Sequence, residues 1–290
     1  MTEDLGKGAY VKKAPGTEKS NILVIIADDL GTDVVKFIDD QAIAQAPGTK
    51  KYPLPNLGRL LKNGVNFTRT WAHPVCSPSR ATMFTGLHPW QSGVGFAGFG
   101  INPPVGNPFT EAEINDGSKT VPPRQRNAVY EIPLTMQDGQ PIETYAEILK
   151  TAGYTCSFFG KWDQGYMLGD AKNGPINRGW DHFEGVMGGG VDPRASATPS
   201  LDPRLYWTWV KEIQDVSEQK DGQVIRKFRK SPEPDAVDVN YPMKLPEGAV
   251  VEGPRKHAYA TADSIYSARE WIKNNSGKPW CTTQALHAPH

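Results

Sequence analysis

The sequence is poor in cysteine, has no net charge and contains no long apolar run. Three cysteines in 290 residues, an odd number, exclude a disulfide-stapled framework. Lys plus Arg and Asp plus Glu stand at 32 each, so the electrostatic footprint of a nucleic-acid binder is missing. The longest apolar run, Ile22-Leu23-Val24-Ile25-Ile26-Ala27, is far too short to span a membrane. Met1-Thr2-Glu3-Asp4 has neither the basic flank nor the apolar stretch of a secretory signal. The chain therefore reads as cytoplasmic, with a clipped signal and a periplasmic or secreted location left open. With 38% hydrophobic and 22% charged residues, it has the composition of a globular protein able to bury a sizeable core. Gly (29) and Pro (25) make up about 19% against roughly 12% on average, which predicts long, turn-rich loops.

Residues 1–20 form a polar leader, and 21–290 read as one α/β unit. The run 22–27 is what a strand covered on both faces of a parallel sheet requires. It stops at Asp28-Asp29-Leu30-Gly31, which places two carboxylates where open α/β sheets hold their ligands. A short helix is predicted over 55–64, with Leu57, Leu60 and Leu61 on one face, Asn56 as cap and Gly64 as stop. Residues 65–71 alternate as a strand. A helix over 143–152 (Tyr145, Ile148, Leu149, Ala152) leads through Gly153 to a strand at 154–159. Region 259–275 repeats the scheme, with Ala262, Ile265, Ala268 and Ile272 toward the core, and 279–286 is the last strand. Strands alternating with helices predict a layered α/β sheet. Segments 98–140 and 188–256 are too long and too rich in Gly, Pro and charge for simple connections, and read as insertions. Tyr206, Trp207 and Trp209 suit either a core hairpin or stacking on a ligand. Cys156 and Cys281 fall inside predicted strands and are expected to be buried free thiols.

The segment Cys76-Ser77-Pro78-Ser79-Arg80-Ala81-Thr82-Met83-Phe84-Thr85-Gly86 carries the most chemistry. Pro78 suits a first helical turn, so Cys76 should lie just before a helix N-terminus, where free N–H groups favour an anion. Arg80, one turn in, can reach back to the same spot. Such a site lowers a thiol pKa or holds an oxyanion. A buried structural cysteine near a surface arginine is the plainer alternative.

That segment resembles the sulfatase signature, C-x-P-S-R followed by a small-residue helix and T-G. The likeness continues, in the family's order, through 21–31, 55–71, the Gly160-Lys161-Trp162 motif, Arg178-Gly179-Trp180-Asp181-His182-Phe183 and Ala288-Pro289-His290. The resemblance implies an alkaline-phosphatase-like mixed sheet sandwiched between helices, incomplete at the C-terminus. It implies sulfuric ester hydrolysis of aryl or carbohydrate sulfate esters through a formylglycine made from Cys76 by a maturation enzyme. A sulfated geminal diol can expel its sulfate by C–O cleavage, which splits the reaction into two easier steps. The modified Cys76 would be nucleophile and metal ligand, with Asp28 and Asp29 binding Ca2+ (Mg2+ less readily). Arg80 would hold the diol, Lys161 a sulfate oxygen, and His290, favoured over His287, would be the acid or base at the ester oxygen.

Two features depart from the family. Asp163 stands where the family usually has His two positions after the motif lysine; it would repel a sulfate, and His182 is a substitute candidate. The chain also ends inside an active-site motif, before the family's downstream Asp-Asn pair, second lysine and smaller domain. A phosphonate monoester or phosphodiester hydrolase on the same scaffold, or a non-catalytic fragment, are the alternatives.

Overall fold

A computed structural model describes residues 19–31, 55–67, 69–95, 132, 134–136, 138–164, 174–188, 210–220, 223–230, 250–252 and 260–289. The described elements are, in chain order, β1 (Ile22–Asp28), α1 (Pro55–Asn63), α2 (Cys76–Thr85), α3 (Pro89–Ser92), α4 (Tyr145–Thr151) and β2 (Thr155–Lys161). A 3-10 turn (Pro175–Arg178) then leads to β3 (His182–Val186), β4 (Val210–Lys220), β5 (Gln223–Lys230), β6 (Val250–Glu252), α5 (Ala260–Asn274) and β7 (Trp280–Pro289). The strands form one sheet in the order β1-β7-β2-β3-β4-β5-β6. β1, β7, β2 and β3 run parallel to one another, β4 is antiparallel to both β3 and β5, and β6 is parallel to β5. The carboxyl ends of β1, β7, β2 and β3 therefore share one rim.

Local chemistry explains the elements nearest that rim. α4 begins with a capping box: Thr144 Oγ1 accepts from the Glu147 N–H at 3.2 Å, and Glu147 Oε2 accepts from the Thr144 N–H at 2.6 Å. Arg178, fully buried, donates from Nη2 to the Ile142 carbonyl at 2.5 Å and lies 3.3 Å from Glu147. Asp181 accepts from the Cys156 N–H at 2.9 Å and pairs with Lys150 at 2.8 Å. The Arg178–Asp181 turn thus fastens α4 to β2 and β3. In β2, Gly160 sits at φ +101°, and a side-chain carbon there would fall 1.8 Å from the Ala285 carbonyl oxygen of β7. Only glycine allows that approach, which sets the spacing of the two strands just before Lys161.

Helices cover both faces of the sheet. On one face Phe84 of α2 stacks on Trp162, with centroids 5.0 Å apart and planes 7° apart. Phe158, Trp180 and Tyr145 meet Phe84 edge-on at 5.7, 5.7 and 6.2 Å. Ring faces and edges of opposite partial charge favour such contacts beyond the area they bury. On the other face α5 packs Asp263, Ser264 and Ser267 against the sheet.

Several expectations change here. Only the face of β1 carrying Ile22, Val24 and Ile26 joins the core, while Leu23 and Ile25 are 51% and 58% exposed. Among the described residues β1 pairs only with β7, and one face of its apolar run is left exposed by them. Residues 65–67 and 69–71 make no strand, and Val65, Phe67 and Trp71 are exposed. α1 starts at Pro55, so Asn56 lies inside it, and Leu60 is exposed. In α5, Ala268 is buried as expected, but Ile265 and Ala262 are exposed, because Asp263, Ser264 and Ser267 share the buried side with Ala260 and Ala268. The described parts of 188–256 include β4, β5 and β6, which extend the sheet. Tyr206, Trp207 and Trp209 lie outside the described residues. Cys156 and Cys281 are register partners on β2 and β7, both buried and both free thiols, as expected.

Candidate active site

Three charged side chains meet at the rim. Asp28, the last residue of β1, accepts from Lys161 Nζ at 2.6 Å on Oδ2 and lies 3.4 Å from Arg80 Nη2 on Oδ1. Arg80 Nη1 also donates to the Lys161 backbone carbonyl. All three residues are at least 95% buried. Arg80 therefore ties α2 to the carboxyl ends of both β1 and β2, with its charge balanced where water cannot screen it.

α2 begins at Cys76 itself, with Val75 as its extended N-cap. Ser79 Oγ donates to the Val75 carbonyl at 2.9 Å and the His73 carbonyl at 3.1 Å, which holds the entry to the helix. Cys76 is half-buried. Its thiol pKa is raised above the ordinary value, first by burial and then by the Asp163 carboxylate, with Lys161 opposing. This reverses the lowering expected at a helix N-terminus.

Asp163 lies beside this group. It is 3% exposed, adopts φ +57° and places Oδ2 3.8 Å from Lys161 Nζ. Its backbone N–H donates to the Met187 carbonyl at 2.9 Å. Gln164, fully buried, donates from Nε2 to the Ser77 carbonyl at 2.6 Å and the Asp163 carbonyl at 2.7 Å. The Trp162 indole N–H donates to the Gln164 carbonyl at 2.8 Å. This clamp joins the first turn of α2 to the tail of β2, and sequence reasoning missed it. Its one signal was that Gln164 directly follows the departure at Asp163.

Asp29 is exposed beside Asp28 and, like Asp163, sits in the left-handed region, at φ +58°. Non-glycine residues at such angles concentrate at functional sites. The structure thus brings Asp28, Cys76, Arg80, Asp163 and Lys161 together. His287 is buried on β7, and His290 lies outside the described residues. His182 does not reach the site. It pairs in register with Ser157, four residues and about 13 Å of strand before Lys161, and it bonds Asp215 at 3.3 Å.

The whole of this arrangement falls within residues 20–290, which match the family model for sulfatases. The chain belongs to the sulfatase family. Among its relatives, arylsulfatase D of Homo sapiens is 31% identical over 178 residues, covering 60% of this chain and 24% of the relative. The arylsulfatase of Klebsiella aerogenes is 28% identical over 205 residues, covering 71% and 35%. The crystal structure of Ps i-CgsB superposes with a TM-score of 0.54 at 22% identity, covering 94% of this chain and 46% of that one. This chain thus matches about a quarter to a third of the length of those curated relatives. The family membership accords with a mixed sheet between helices, the alkaline-phosphatase-like arrangement.

Sulfatases as a family use a divalent metal. Among the described residues no three His, Cys, Asp or Glu side chains gather as a metal shell. The oxygens of Asp28 and Asp29 are hard donors suited to Ca2+ or Mg2+, and Asp29 is open to solvent. The donor chemistry fits such an ion, with part of the shell supplied.

Proposed function

We propose that this chain carries the nucleophile-bearing part of a sulfuric ester hydrolase acting on aryl or carbohydrate sulfate esters. One observation carries the reading: Arg80 joins the helix that bears Cys76 to both Lys161 and Asp28 at a single sheet rim. Lys161 and the amide N–H groups opening α2 offer positive charge to the oxygens of a transferred sulfuryl group. Arg80, buried and doubly engaged, holds that geometry and balances charge at residue 76. Asp28 orients the Lys161 ammonium. His290, or His287 on β7, would exchange a proton at the ester oxygen. A Ca2+ held by Asp28 and Asp29 would add positive charge to the site. Conversion of Cys76 to formylglycine by a maturation enzyme would replace a poorly ionised thiol with a hydrated aldehyde as nucleophile. The neocarrahexaose bound in a Ps i-CgsB crystal is compatible with a carbohydrate sulfate as substrate.

The test is hydrolysis of an aryl sulfate and an aryl phosphodiester by the protein from its native cell. Release from the sulfate that exceeds release from the phosphodiester, and is lost in Cys76→Ala, is the expected result. The reverse preference would make it a phosphodiester hydrolase. Hydrolysis unaffected by Cys76→Ala would remove the proposed nucleophile.

A further inference from the structure

The carboxylate of Asp163 has no place in the mechanism above, yet it is 97% buried within 3.8 Å of the lysine assigned to the sulfate. Among the described residues its Oδ2 has no hydrogen-bond partner. Asp28 already meets Lys161 at 2.6 Å, so the ammonium lies between two carboxylates. The four buried charges Arg80, Lys161, Asp28 and Asp163 therefore cancel; a neutral residue at 163 would leave one unit of positive charge. The backbone is also committed to this placement. The left-handed turn at Asp163 is held by the Met187 carbonyl on one side and the Gln164 clamp on the other, which fixes the backbone from which the carboxylate projects beside Lys161.

We infer that Asp163 is a charge-selecting residue of the anion site, favouring esters whose transferred group carries one negative charge over those that carry two. The inference rests on the reading of the site as an anion-transfer centre and names its substrate class more narrowly: sulfate monoesters, and not phosphate monoesters. The energy between a fixed charge and a ligand scales with the ligand's charge. Neutralising Asp163 should therefore help a dianion twice as much in free energy as a monoanion. If the gain for a monoanion is about threefold, the gain for a dianion is about tenfold.

The experiment measures binding of 4-methylphenyl sulfate and 4-methylphenyl phosphate at pH 8, where the phosphate carries two charges because its second ionisation lies near pH 6. The full chain is used with Ca2+ present and Cys76→Ala in place, so that neither ester is cleaved. Asp163→Asn and Asp163→Gly are compared with the parent, since Asn and Gly both tolerate the left-handed region and a melting curve shows each is folded. The expected result is a parent that prefers the sulfate ester, with both variants gaining more for the phosphate than for the sulfate. Equal gains, or none, with sulfate binding retained would overturn the role of Asp163 alone. Absence of binding of either ester to any of the three proteins would overturn the anion-site reading and this inference with it.

Discussion

The two faces of the sheet are stabilised by different physics. One is a cluster of aromatic rings, Phe84, Tyr145, Phe158, Trp162, Trp180 and Phe183, which links the helix bearing Cys76 to the strand bearing Lys161. The other is a buried polar group. Lys211 is fully buried, bonds Glu184, approaches Asp263 at 2.5 Å and donates to Ser267 at 3.2 Å. Gln284 of β7 donates to Ser264 at 2.8 Å, and His182 bonds Asp215 and approaches Glu184 at 3.8 Å. The aromatic face depends on shape and area and should be indifferent to pH. The polar face depends on each charge having its partner, so it is vulnerable to single changes of charge. The candidate site residues lie at the rim, positioned mainly by the aromatic face through the Phe84–Trp162 stack.

Removing a ring should have the largest effect. Trp180→Ala should lower stability by about 4 kcal/mol through lost transfer energy and the cavity left behind, read as a fall in the urea midpoint. On the other face, Lys211→Met should cost about 3 kcal/mol by removing the buried cation that Glu184 and Asp263 share. Adding Glu184→Gln and Asp263→Asn should restore most of that loss. If the triple variant is no better than the single one, the polar face is held by packing and not by charge balance.

A smaller effect separates the faces by pH. Burial pushes the His182 pKa down, but bonds to Asp215 and Glu184 outweigh it and raise the folded-state value. The bond from His182 holds Asp215 down at about 2; Glu184 also lies at about 2, because His182 and Lys211 outweigh its burial. His182 therefore contributes stability that is complete below pH about 6.5 and is lost as pH rises through its raised folded-state pKa. The two carboxylates contribute above pH about 4 and lose that contribution as pH falls toward 2. His182→Gln should cost about 1 kcal/mol at pH 5.5 and less at pH 9, measured by urea titration at both. An equal cost at the two pH values would show that the imidazole acts through shape alone.

The same contrast explains what could be read in the sequence. The motifs around Cys76, Lys161 and Arg178 were legible through their resemblance to the sulfatase signature and its order along the chain. The elements β2, α4 and α5 were legible from apolar spacing, with Gly153 separating α4 from β2. The orientation of α5 was legible only in part: Ala268 faces inward as its spacing predicts, but the same buried side carries Asp263, Ser264 and Ser267, which a rule of apolar residues inward turns toward water. Their partners Lys211, Glu184 and Gln284 come from three other elements, and pairing across such distances leaves no local pattern. At 65–71 the alternation was real, but alternation describes a strand only where another strand lies beside it. The contact between Arg80 and the Lys161 carbonyl was likewise invisible, although each residue had been singled out.

Cys76 is proposed as the precursor of the nucleophile in a site built for a sulfuryl group. Peptide-mapped mass spectrometry of residue 76, on protein isolated from its native cell, tests it most directly. The account predicts a peptide in which the thiol has been replaced by an aldehyde. An unmodified cysteine throughout the isolated protein would contradict it.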